Sequence, residues 1–130
     1  MSINELIEPI GIKIPLSISI ATVIQTTRQE PLLTPVLGVV DGAVTLRQQR
    51  NGRFRLSSGV EAWSGKITEI NGQPYAFPAI SKVQSTLEAG LDIFPALEHF
   101  QMRSFWGGII DLTPDALPVL GEAPNAKGLF

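Results

Sequence analysis

From Leu16 to Thr27 the chain reads LSISIATVIQTT, an alternating run rich in β-branched residues. Branching at Cβ restricts side-chain rotamers in a helix and suits a pleated surface, so the run is read as a strand. Glu30-Pro31 ends it. Pro31 and Pro35 then bracket a loop, because neither can donate to a ladder. The greasiest stretch, Ile14 to Ile24, is broken by Pro15, Ser17, Ser19 and Thr22 and is too short to span a bilayer.

The rest of the chain fits around that strand. Ala43 to Gln48 and Arg53 to Ser58 flank Gln49-Arg50-Asn51-Gly52, and Asn-Gly tolerates the positive φ of a hairpin turn, so an antiparallel hairpin is expected. A second Asn-Gly, at Asn71-Gly72, precedes Gln73-Pro74-Tyr75. Pro74 leaves an edge hairpin or a long loop there. A capping box at Ser2-x-x-Glu5 starts a short helix that Pro9 and Gly11 stop. The main helix is expected to begin at Ser81, with Gln84 reaching back. Val83, Leu87, Leu91 and Phe94 make its apolar stripe, Pro95 its end. Gly90 inside it costs about 1 kcal/mol relative to Ala, so the helix is expected to lean on a sheet. Phe100 to Ile110 reads as a buried strand, and Thr113 to Phe130 as turn-rich connection. The fold class is therefore α+β: a mostly antiparallel mixed sheet packed with one main helix and a short N-terminal helix.

With 130 residues the chain fits one domain. It has ten Lys plus Arg, twelve Asp plus Glu, one His and no Cys. Without cysteine there is no disulfide framework, thiolate nucleophile or zinc ribbon. A net charge of -2 argues against nucleic acid or an anionic membrane as partner. The N-terminus lacks the cationic start of a signal peptide, so a soluble, cytoplasmic protein is expected. Charged residues make up 17% of the chain, below the usual ~25%, which suggests that one face is not meant for water.

No Walker loop, G-x-G-x-x-G, H-E-x-x-H or nucleophile elbow occurs. His99, after Glu98, is read as solvated or capping rather than catalytic. Asp111 and Asp115 form a carboxylate pair suited to acid–base work, or else Asp115 ties down a turn. Arg47 shares a strand face with Thr45 and Gln49, opposite Val44, Leu46 and Gln48. It either holds a carboxylate or faces solvent. Trp106 is core or a stacking platform.

The run Trp106-Gly107-Gly108-Ile109-Ile110-Asp111-Leu112-Thr113-Pro114-Asp115-Ala116-Leu117-Pro118-Val119-Leu120-Gly121 resembles a pattern of FAD-dependent oxidoreductases of the D-amino-acid oxidase superfamily. The branch it looks like holds sarcosine oxidase β subunits, hydrogen cyanide synthase and opine oxidases. Gly11 to Leu16, Thr27 to Pro31, and Thr45-Leu46-Arg47-Gln48 with Gly52 resemble the same family's central segment, with Ser57-Ser58-Gly59 standing where relatives carry a glycine cluster. The resemblance implies the substrate domain of a two-domain enzyme, without the Rossmann domain that holds FAD. Substrate-binding positions implied are Thr45, Arg47, Ile110 and Asp111. Positions implied near the flavin are Trp106, Gly107, Thr113, Pro114 and Asp115. Ile110 stands where amino-acid oxidases resembling G-L-R-P place an Arg that holds the substrate carboxylate. Losing that fork points toward a secondary amine or opine.

Three readings follow. The first is a substrate-domain fragment of a flavin-dependent oxidoreductase acting on the C–N bond of an amine, amino acid or opine. It would pair with an FAD-binding domain or subunit, be inactive alone and hold no FAD tightly. The second is a non-catalytic module that binds a partner or itself, as a homo-oligomer. The third is a small unrelated enzyme using Asp111 and Asp115.

Overall fold

The computed structural model describes residues 3–123 and 125–130. Its helices are α1 (Ile3–Ile7) and α2 (Ile80–Ile93), with 3-10 turns at Glu8–Ile10 and Pro95–His99. Its strands are β1 (Ser17–Arg28), β2 (Leu37–Gly38), β3 (Val44–Gln48), β4 (Arg53–Ala62), β5 (Thr68–Ile70), β6 (Gln73–Tyr75) and β7 (Met102–Leu112). Five strands form one sheet in the order β2-β3-β4-β1-β7, while β5 and β6 pair by themselves. Each pairing is antiparallel, so the α+β architecture is the one expected.

The β-branched run becomes the central long strand β1, with β4 on one side and β7 on the other. Its register with β4 shifts between Ala21 and Val23. The Thr22 amide that the ladder skips donates instead to Ser58 Oγ at 2.8 Å, so the bulge leaves no buried donor unpaired. Alternation then separates two faces. On one, Ile24, Val44, Leu46, Phe54, Leu56 and Leu97 form the core, against which Val83, Leu87, Ala89 and Ile93 of α2 pack. Phe54 lies between Phe94 and Phe100, with ring centroids 5.3 and 5.2 Å away. Gly90 is buried where a Cβ would run into Leu56 and Leu97. Its propensity cost is offset by the close approach of helix to sheet.

Two sequence expectations are corrected, and one left open between hairpin and loop is decided. Helix α2 begins at Ile80 on an Ala79 N-cap without a side-chain cap bond; Ser81 lies inside the first turn, and Gln84 bonds Glu88 at 2.9 Å. The strand expected at Phe100 to Ile110 runs from Met102 to Leu112 and is not buried. As an edge strand it has only β1 beside it, and its residues are exposed or half-buried. The second Asn-Gly makes a true hairpin, β5–β6, in which Pro74 needs no ladder bond from its nitrogen. The Ser2 half of the capping box lies outside the described residues.

Gly52 closes the β3–β4 hairpin at φ +80, and a Cβ there would lie 2.6 Å from the Gln29 carbonyl oxygen. Gly72 has nearly the same φ, +73, with nothing within 4 Å. Gly52→Ala is therefore expected to cost well over 1 kcal/mol, and more than Gly72→Ala. Urea unfolding of both variants checks it; equal losses would mean that backbone strain, and not the contact with Gln29, sets the cost.

Candidate anion groove on the open sheet face

The face turned away from α2 carries two transverse rows of side chains. The first runs Thr45, Ser57, Val23, Trp106 across β3, β4, β1 and β7; the second runs Arg47, Arg55, Gln25, Ser104. Alternation along each strand puts all eight on one side. Val23, Thr45, Arg47, Arg55, Ser57 and Trp106, together with Val36, line a groove of about 380 Å³.

The groove is electropositive. The Arg55 guanidinium carbon sits 5.3 Å from the Trp106 ring centroid, a cation–π distance. Arg55 Nε is buried and finds no hydrogen-bond acceptor. Its neighbour Gln25 makes its bonds elsewhere: Nε2 donates to Gln49 Oε1 at 2.7 Å and Oε1 accepts from Arg103 at 3.2 Å. Among the described residues the ion pairs are Lys13–Glu8 and Lys82–Glu61, so Arg47, Arg55 and Arg103 have no carboxylate partner. Such a surface can take an anion through charge-assisted, forked hydrogen bonds.

The structure thus brings Thr45, Arg47 and Trp106 together. Ile110 shares their face but lies four residues along β7 from Trp106, roughly 14 Å at strand rise. Gly107 and Asp111 point to the other face, where they line a separate cavity of about 440 Å³ with Ile18, Trp63 and Tyr75. Gly107 has a packing reason: its N–H donates to Ala76 O at 2.8 Å, and a Cβ would sit 2.5 Å from Ile20 Cδ1. Thr113, Pro114 and Asp115 form the turn that follows β7. Thr113 Oγ1 donates to Leu117 O at 2.7 Å, and the Leu117 N–H donates to Asp115 Oδ1 at 3.1 Å. Asp115 therefore ties down a turn. His99 is exposed at the end of its 3-10 turn. Arg55 was not a sequence candidate.

The Leu117 N–H holds the Asp115 carboxyl below its ordinary value. A depressed carboxyl pKa favours the folded turn above the ordinary pKa, and that contribution is lost as pH falls through the lowered one. Carboxyl NMR titration should find Asp115 below a free aspartate, and Leu117→Pro should return it toward the ordinary value. An Asp115 that titrates like a free aspartate in the intact chain would contradict the turn's role.

The described residues do not fit a whole dinucleotide. No glycine-rich turn leads from a strand into a helix: α2 follows Phe77-Pro78-Ala79, with no cradle of free amides for a pyrophosphate. Among the described residues no helix is long and apolar enough to cross a membrane.

No protein-family profile matches the chain. Sequence relatives do. The β subunit of sarcosine oxidase from Arthrobacter sp is 30% identical over 81 residues, 62% of this chain and 18% of that protein. A D-amino acid dehydrogenase from Rhizorhabdus wittichii is 28% identical over 126 residues, 96% of this chain and 28% of that protein. The fold matches glycine oxidase from Geobacillus kaustophilus with a TM-score of 0.75 at 20% identity, over 98% of this chain and 32% of that one. The chain is a homologue of one segment of the FAD-dependent oxidoreductases of the D-amino-acid oxidase superfamily. Within it, the relatives named are a sarcosine oxidase β subunit and a D-amino acid dehydrogenase, and the chain spans less than a third of either.

Proposed function

We propose that this chain is the substrate-domain part of a flavin-dependent oxidoreductase acting on the C–N bond of a secondary amine, an amino acid or an opine. The observation that carries this reading is the row of uncompensated guanidiniums beside Thr45 and Trp106 on the open face. Arg47 holds the substrate carboxylate and Thr45 contacts the same molecule, which orients the C–N bond toward the covering partner. FAD is bound outside these 130 residues, by a further domain or by a subunit, and the open face roofs it. Trp106 stands on that face, and Thr113-Pro114-Asp115 shapes the rim at the end of the same strand. Gly107 and Asp111, facing the other way, act through the backbone of β7. Without the FAD-binding part the chain is inactive and does not retain flavin.

In the complete enzyme, Arg47→Ala should weaken substrate binding by about 1–3 kcal/mol, the loss of a charge-assisted hydrogen bond, seen as a raised KM. An unchanged KM rejects Arg47 in that role. A second reading, a module that pairs with a second copy through this face, is favoured by the exposure of Val60 at 50% and Ile110 at 36%. Sedimentation and a visible spectrum separate the two. A monomer that gains a flavin spectrum only with its partner supports the first, and a concentration-dependent dimer that never does supports the second.

A further inference from the structure

We propose that Asn71 is a site of self-catalysed modification, deamidation through a cyclic imide, and that the fold protects the same dipeptide at Asn51. The chain carries Asn-Gly twice, at Asn51-Gly52 and Asn71-Gly72. The reaction needs the backbone nitrogen after an asparagine to reach that asparagine's own side-chain carbonyl carbon, and glycine, lacking Cβ, obstructs this approach least. The Gly72 nitrogen bonds to Asn71 Cγ, the bond from Cγ to the side-chain nitrogen breaks, and the Gly72 proton leaves with that nitrogen as ammonia. Water then opens the imide at either carbonyl: one C–N bond breaks and one C–O bond forms. The product is aspartate or isoaspartate, whose backbone runs through Cβ and Cγ.

The two sites differ in what holds them. At Asn51, the Gly52 N–H donates to Gln49 O at 2.9 Å, and Asn51 Oδ1 accepts from the Arg53 N–H at 3.1 Å. The Gly52 carbonyl also accepts from the Gln29 N–H at 3.0 Å and from Gln48 Nε2 at 3.2 Å. Attacking nitrogen and attacked side chain are thus both engaged. At Asn71, neither the carboxamide nor the Gly72 N–H has a hydrogen-bond partner among the described residues. Both residues are exposed, at φ +52 and +73, and the space beside Gly72 is open. They close β5–β6, whose strands have three exposed residues each and pair with one another, apart from the main sheet. A lone hairpin of that size is marginal in water and opens far more readily than β3–β4 in a five-stranded sheet. Two positive-φ residues inside the Ile70–Gln73 pair make a tight turn, which the extra backbone carbon of isoaspartate does not fit. Pro74 and Tyr75 line the 440 Å³ cavity, and Ala76 O holds the Gly107 N–H, so the change reaches the cavity wall and the edge of β7.

Incubation of the intact chain in mildly alkaline buffer tests it, read by peptide mass spectrometry for the mass gain of NH2 replaced by OH and by fragmentation that separates isoaspartate from aspartate. Asn71 should convert at least about tenfold faster than Asn51, because two hydrogen bonds engage the reacting groups at Asn51 and none those at Asn71. In unfolding concentrations of urea the two rates should converge. Asn71→Gln should remove the fast phase and leave conversion at Asn51 unchanged. The isoaspartyl species, separated from the parent on an anion exchanger by its added negative charge, should exchange the Gln73, Tyr75 and Gly107 amide protons faster. The buried Phe54 amide, bonded to Thr26 Oγ1, should keep its protection. Equal rates in the folded chain, faster conversion at Asn51, or a gap that persists in urea overturns the assignment of Asn71. Unchanged exchange at Tyr75 and Gly107 in the isoaspartyl species overturns the effect on the cavity wall and the edge of β7.

Discussion

Phe54→Ala will lower the unfolding free energy by about 3–5 kcal/mol, the cost of removing a fully buried aromatic ring from a packed core. Phe54 is completely inaccessible, and its ring is contacted by Phe94 at the end of α2 and by Phe100 ahead of β7. It therefore joins the hairpin strand β4 to the two segments that bring β7 back beside β1. Against a typical total of about 5–15 kcal/mol, the loss is large enough to unfold a good part of the population in mild urea. Phe54→Leu should cost distinctly less, since most of the volume is kept. A Phe54→Ala midpoint close to the parent's would mean that this cluster does not hold the sheet and helix together.

Gln48→Ala is expected to cost about 2–3 kcal/mol, although Gln48 is only half-buried. Its Oε1 accepts from the Leu32 and Leu33 amides at 2.8 and 3.0 Å, and its Nε2 donates to Glu30 O at 2.7 Å and Gly52 O at 3.2 Å. Four such bonds, each contributing roughly 0.5–1.5 kcal/mol with water recovering a share, give that total. The loop they pin contains Pro31 and Pro35 and leads to Val36 on the groove wall. Ligand affinity should fall together with stability. Gln48→Glu is the sharper variant, because it keeps the acceptors for Leu32 and Leu33 but sets a carboxylate against the Glu30 and Gly52 carbonyls. It should be no better than alanine. A Gln48→Glu variant as stable as the parent would contradict the donor half of the argument.

Much of this was legible in the sequence, for reasons that differ from element to element. The β-branched run specified β1, and Asn51-Gly52 specified the hairpin, because both signals are local. The period-two pattern of β3 by itself puts Thr45 and Arg47 on one face. The start of α2 was less readable, since Ser81 offers a cap that the chain does not use once Pro78-Ala79 has already set the entry. Burial of β7 was misjudged because apolar composition says nothing about how many neighbours a strand has, and at the sheet edge it has one. Adjacent Trp106 and Gly107 had to point to opposite faces, as did Ile110 and Asp111, so the proposed residues could not all meet in one pocket. Arg55 required the ladder register itself. Only the pairing Arg47 with Arg55, and the distance from Arg55 to Trp106, reveal two cations sharing one groove.

The central claim is that ligand binds on the open sheet face, and amide chemical-shift mapping of the chain during titration with N-(carboxymethyl)glycine tests it most directly. The account predicts shifts concentrated at Thr45, Arg47, Arg55 and Ser57 and at the Trp106 indole, with α2 unmoved. Shifts confined to Trp63, Tyr75 and Asp111 across the sheet, or to the Thr113–Asp115 turn, would contradict it.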